Sequence, residues 1–171
     1  MLRSISEKFG VVSAVAAVTL GALVLQPSKA GAQSAKHEIT LTVVRFKAID
    51  KADELSAGDF FARVTIDGSK QITATVSGDR AEVQPNWKIS KSVSPGVHKV
   101  KLELIDKDVS IDDPIDINRL GNKRDLDFTV DTRSCVIGGF ASDYKCGATI
   151  TRAGGEKKMA EISFKVTVSK K

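Results

Sequence analysis

An antiparallel, eight-stranded β-sandwich is the fold that residues 33–171 predict, on three observations. Apolar residues recur with period two rather than 3.6. Turn signals fall about every ten residues. No stretch of this part of the chain carries a convincing helical pattern. Short strands at such spacing are the pattern of two packed antiparallel sheets.

The strands follow in order. Ile39, Leu41, Val43 and Arg45 alternate with Thr40, Thr42 and Val44. Phe60, Ala62, Val64 and Ile66 oppose Phe61, Arg63, Thr65 and Asp67. Asp67-Gly68 reads as a turn into a strand over residues 71–76, which Ser77-Gly78-Asp79 ends. Asn86-Trp87-Lys88-Ile89 starts the next strand, with Trp87 in the core, and Ser94-Pro95-Gly96 reads as a turn. Over residues 97–105, Val100, Leu102 and Leu104 share one face, and Lys99, Lys101 and Glu103 the other. Leu126, Phe128 and Val130 mark a further strand, and Ile162, Phe164, Val166 and Val168 mark the last. His37 and His98 are expected on exposed strand faces.

Residues 132–155 are the least regular stretch. They hold both cysteines, Cys135 and Cys146, and five glycines, which predicts a stapled loop plus a short strand. A zinc site is disfavoured because no His lies near the two thiols.

The first 32 residues read as a leader rather than as part of the fold. Arg3 and Lys8 precede an apolar run over residues 11–25, Pro27 breaks it, and Ala30-Gly31-Ala32 supplies small residues for a signal peptidase. The run is shorter than the roughly 20 residues a membrane span requires. Cleavage is expected before Gln33, leaving one domain, residues 33–171, with 23 basic and 20 acidic residues and net charge +3. That is too mild a charge to argue for nucleic acid. Export to a periplasm or beyond puts the chain in an oxidising compartment, where an even pair of cysteines forms a disulfide, here Cys135–Cys146.

Two acidic clusters stand at the ends of strand-like runs. One is Ile49-Asp50-Lys51-Ala52-Asp53-Glu54-Leu55-Ser56-Ala57-Gly58-Asp59; the other is Ile105-Asp106-Lys107-Asp108-Val109-Ser110-Ile111-Asp112-Asp113-Pro114-Ile115-Asp116. Carboxylates at this density raise one another's pKa unless a cation sits among them. Hard oxygen ligands in loops suit Ca²⁺, and the loops of a sandwich gather at its ends. Solvated turn aspartates are the plainer alternative.

These residues carry a resemblance to C2 domains. Asp53 and Asp59, six apart and followed by Phe60-Phe61, look like the first calcium loop of that family. Pro85-Asn86-Trp87 is similar to its strand start, and Leu102-Glu103-Leu104-Ile105-Asp106-Lys107-Asp108 resembles the strand that runs into its third calcium loop. The resemblance covers about residues 39–130. It implies a calcium-binding sandwich whose metal ligands are Asp53, Asp59, Asp106, Asp108 and Asp113, with Asp112 next and Asp50 or Asp116 as substitutes. Two departures stand out: Phe60 replaces the family's Pro, and Asp112 or Asp113 falls one or two residues short of the usual position.

The function expected is that of an exported, monomeric calcium-binding module acting on an unidentified protein or surface partner. Calcium-dependent binding of anionic lipid head groups is the alternative. A small secreted hydrolase using paired acids is the remote one, since aromatic residues are few and no Gly-x-Ser-x-Gly, His-Glu-x-x-His or glycine-rich phosphate loop occurs. The chain is read as not an enzyme.

Overall fold

β-Branched and aromatic residues alternating with polar ones build two antiparallel sheets whose apolar faces meet. A computed structural model of the chain describes residues 35–49, 59–77, 82–107 and 111–171. All lie in the unit Gln33–Lys171, and the leader expected over residues 1–32 falls outside them. None of the described residues is helical.

One sheet contains β1 (His37–Ala48), β5 (Glu82–Val83), β6 (Trp87–Val93), β12 (Thr149–Ala153) and β13 (Ala160–Lys170). Its order is β12-β13-β1, with β6 and β5 both pairing the free side of β1. The other contains β2 (Asp59–Ile66), β3 (Ser69–Ile72), β4 (Val76–Ser77), β7 (Val97–Asp106), β8 (Asp113–Ile115), β9 (Leu126–Asp131), β10 (Val136–Gly138) and β11 (Tyr144–Lys145). It runs β11-β10-β9-β7-β2-β3, with β4 on β2 and β8 on β7. The described residues form thirteen strands rather than the eight expected, five of them pieces of two or three residues.

The inner faces are those the alternation marks. Phe60, Ala62, Val64 and Ile66 on β2 and Val100, Leu102 and Leu104 on β7 are buried against Ile39, Leu41 and Val43 on β1 and Ile162, Phe164 and Val166 on β13. Trp87 joins them and stacks on Phe46 at 5.6 Å, while Phe46 meets Phe60 edge-on at 5.4 Å. Each such aromatic pair contributes about 0.5–1.5 kcal/mol beyond area burial.

Three local expectations are corrected. On β1 the inward series does not pass from Val43 to Arg45. Val43 pairs with Phe164 and Arg45 with the next residue back, Ser163, so Val44 is an extra residue. This bulge turns Arg45 outward onto Glu161 and Glu82 and puts Phe46 into the core. The strand expected over 71–76 is interrupted. β3 ends at Ile72, and Thr73 clamps Ala62, donating its N–H to the Ala62 carbonyl and accepting the Ala62 N–H on Oγ1. His37 and His98 are both buried, not exposed.

His98 explains its own burial. Its Nδ1 lies 2.6 Å from Asp67 Oδ2 and its Nε2 lies 2.8 Å from the Ser94 carbonyl. Asp67 sits at φ 46° and Gly68 at φ 76°, the left-handed pair that a two-residue hairpin turn requires. Burial works against the Asp67 charge, but hydrogen bonds from His98 and the Lys99 N–H, with the nearby charges of His98 and Lys91, hold its carboxyl below the ordinary aspartate value. A depressed carboxyl adds stability above the unfolded pKa and loses it as pH falls through the folded one. Asp67→Asn is therefore expected to melt earlier at neutral pH, by no more than about 1 kcal/mol for this half-exposed pair. The gap should close below about pH 4. Melting curves of both proteins from pH 7 to pH 3 check this, and a gap that widens in acid contradicts it.

One tie between the two sheets is built on a buried carboxylate. Asp116, just after β8, has its carboxylate buried: Oδ1 accepts the Asn118 N–H, and Oδ2 accepts those of Gly155 and Glu156 at 2.9 and 2.8 Å. Its peptide N–H bonds the Lys158 carbonyl, and its own carbonyl accepts the Ala160 N–H. The segment between β12 and β13 is thus pinned to the neighbour of β8. At the other end of β13, the Lys171 N–H bonds the Lys36 carbonyl at 2.8 Å, so residues 36 and 171 are neighbours.

Candidate functional site

Strand pairing brings both acidic segments to one end of the sandwich. β1 ends opposite the start of β13, with Ala48 paired to Ala160, and the Ile49 N–H bonds the Met159 carbonyl. The first acidic segment therefore leaves beside the start of β13. It returns as β2, whose Phe60 pairs with Asp106, the last residue of β7, and the Lys107 N–H bonds the Asp59 carbonyl at 2.8 Å. The second segment leaves there and returns as β8, whose Asp113 pairs directly with Asp106.

The candidate ligands divide by face. Asp106 shares the inner face with Phe60 and is 8% exposed; Asp113, opposite it in register, shares that face. Asp59 alternates with Phe60 and Asp112 with Asp113, so these two belong to the outer face. Asp53 and Asp108, with Asp50, lie outside the described residues. Among the described residues no group of three acids, His or Cys is placed to hold a metal.

Two cations already stand among these acids. Lys158 Nζ donates to Asp113 Oδ2 at 2.5 Å, and Arg63 reaches Glu103 at 3.3 Å and Asp112 at 3.9 Å. No sequence pattern points to Lys158 here, because it lies 45 residues from Asp113. Asp116 is removed from the substitute ligands, because its two carboxylate oxygens are occupied by three peptide N–H groups. The alternation Ile115-Asp116-Ile117, with both isoleucines fully buried, is the signal that it belongs to the fold.

The donor set fits a hard cation in part. Asp106 and Asp113 are paired in register on a strand pair where two acidic segments leave, and carboxylates are ligands Ca²⁺ accepts. The Lys158 ammonium holds one of those oxygens. Apolar side chains flank the same end, with Ile49 43% and Ile111 75% exposed.

Comparison with known proteins places the architecture. No family model matches the chain, and no curated relative does. Solved structures do match. An isolated C2 domain superposes with TM-score 0.51 at 14% identity, over 78% of this chain and 98% of that one. A C2 domain of a plant extended synaptotagmin 1 gives 0.51 at 10% identity, over 77% and 93%. Human GIVD cytosolic phospholipase A2 gives 0.52 at 16% identity; the match covers 81% of this chain but only 18% of the enzyme's. The fold is that of a C2-like β-sandwich, as the sequence resemblance implies. At these identities the likeness concerns fold alone.

Proposed function

We propose that this chain is an exported, calcium-binding C2-like module that acts in protein or surface interaction rather than in catalysis. The observation that carries this reading is that the strands flanking both acidic segments end at one end of the sandwich, with Asp106 and Asp113 paired in register on its inner face. Asp53 and Asp108, from the two segments, would complete the oxygen set with Asp59 and Asp112. Bound Ca²⁺ supplies positive charge and up to eight coordination positions; the chain's own residues supply the opposed carboxylates and, through Lys158, the charge that balances them without metal. The Cys135–Cys146 bridge supports the exported reading, since disulfides persist in oxidising compartments.

The affinity expected is that of extracellular modules, a dissociation constant on the order of 10⁻⁴ to 10⁻³ M. At calcium about 100-fold above it, stability rises by about 2.7 kcal/mol. Calorimetric titration and melting curves with calcium and with chelator measure both quantities. Asp106→Asn combined with Asp108→Asn abolishes the calcium response. A melting curve indifferent to calcium and chelator leaves a bare sandwich and refutes the reading.

A second reading rests on Ile49 and Ile111. Their exposure beside the acids suits a calcium-dependent docking onto anionic lipid. Co-sedimentation with anionic liposomes that needs calcium and is lost in the double variant selects lipid; a calcium response without sedimentation selects a protein partner.

A further inference from the structure

Between the two sheets, beside the segment that follows Asp116, lies a cavity of about 260 Å³. Arg152 of β12 stands in it. Its guanidinium carbon lies 4.4 Å from the Phe140 ring centroid and 5.6 Å from that of Tyr144, and one Nη donates to Tyr144 Oη at 3.3 Å. Stacking and this hydrogen bond hold the planar group in one orientation. Neither Arg152 nor Arg119, which also lines the cavity, joins a carboxylate among the described residues. The one acid in the lining, Asp127, is held by Lys123 at 3.0 Å.

Packing and hydrogen bonds fix several parts of the wall. Phe140 packs on Phe128 at 5.5 Å and on Phe164 at 6.5 Å, and its loop lies within the span closed by the disulfide. Gly139, at φ 100°, lies so close to Phe128 that a Cβ there would sit 3.0 Å from the Phe128 Cα. The Arg119-Leu120 stretch is held by Asn118, which donates to the Asp125 carbonyl at 2.7 Å and accepts the Leu120 N–H at 3.0 Å. Leu126 and Phe140 give the cavity an apolar wall beside the cations.

We propose that this cavity binds a small organic carboxylate: the anion on Arg152 and Arg119, the apolar body against Leu126 and Phe140. A guanidinium presents a planar fork that matches a carboxylate, which is why the anion is assigned to this class. The volume lies just under the roughly 300–1,000 Å³ of sites for drug-sized ligands, so the body is about one ring or a short chain. This site is independent of the calcium reading and stands or falls without it.

The test is an NMR titration of the protein with 3-phenylpropionate, with 3-phenylpropionamide as the uncharged counterpart. The carboxylate is expected to produce saturable shifts confined to residues 118–120, 139–141 and 152, and the amide to bind at least about tenfold more weakly. Arg152→Lys keeps the charge but loses the fork and the stacking, and should weaken binding about tenfold. Arg119→Gln, at an exposed position, should weaken it severalfold. The melting temperature of Arg119→Gln should not change, so its result decides if Arg152→Lys folds poorly. No saturable shift up to about 10 mM, equal binding of the amide, or unchanged affinity in Arg119→Gln and Arg152→Lys would mean that Arg152 only caps the aromatic core, and would overturn the proposal.

Discussion

Asp116→Ala is expected to lower stability by about 3 kcal/mol or more, a fall in melting temperature of roughly 10 °C for a domain of this size. The buried carboxylate accepts three peptide N–H groups from partly buried and exposed residues, and hydrogen bonds to a charged acceptor contribute about 1.5–3 kcal/mol each, though not additively. Removing it leaves those donors without an acceptor. The loss should appear as a cooperative shift, because Asp116 joins the β8 side of one sheet to the β12–β13 turn of the other. Asp116→Asn, which keeps one acceptor oxygen, should fall between. The neighbouring Gly154→Ala gives an independent reading of the same tie: a Cβ there would lie 2.3 Å from the Asp116 carbonyl oxygen, so backbone must move. Thermal melts of the three variants check this. An Asp116→Ala protein that melts with the parent would show that the tie is not needed.

Loss of the Cys135–Cys146 bridge should lower stability by about 3 kcal/mol, the value for closing a loop of this length in the unfolded chain. The cysteines are 11 residues apart with Cα atoms 5.3 Å apart, and the Cys146 N–H bonds the Cys135 carbonyl. The bridge thus closes a hairpin already formed by β10 and β11. Reduction, or Cys135→Ala with Cys146→Ala, should also dull the near-ultraviolet signal of Phe140 and Tyr144, which the closed span carries against each other at 5.7 Å. Unchanged melting on reduction would contradict the expectation.

How much of this was legible in the sequence depends on the strand. β7, β9 and β13 read clearly because each alternates cleanly and buries one face: Val100, Leu102 and Leu104, then Leu126, Phe128 and Val130, then Ile162, Phe164 and Val166. β1 misleads at Arg45 because a bulge shifts the inward series by one residue, and period counting cannot see an unpaired residue. His98 misleads because its acceptors, Asp67 and Ser94, come from two separate turns. β8 was hidden inside what reads as an acidic loop; three residues are too few to show a period.

The acidic end was legible to the same degree. That each acidic segment stands at a strand end, where the loops of a sandwich gather, follows from the alternation on either side. The division of Asp106 and Asp113 from Asp59 and Asp112 by sheet face does not, because it depends on register. Nor does the Lys158 ammonium on Asp113, which the chain delivers from a turn 45 residues away.

The contact between Lys171 and Lys36 has a mechanical consequence. β1 and β13 run antiparallel along nearly their whole lengths, and residues 36 and 171 sit side by side at one end of that pair. Force applied to pull these two residues apart loads the ladder one rung at a time, starting with His37 and Lys170, as in opening a zipper. The many hydrogen bonds joining the two strands never resist together. A sandwich held together by its core and its bridge should therefore yield to modest tension along this direction, peeling from the end opposite the aspartates.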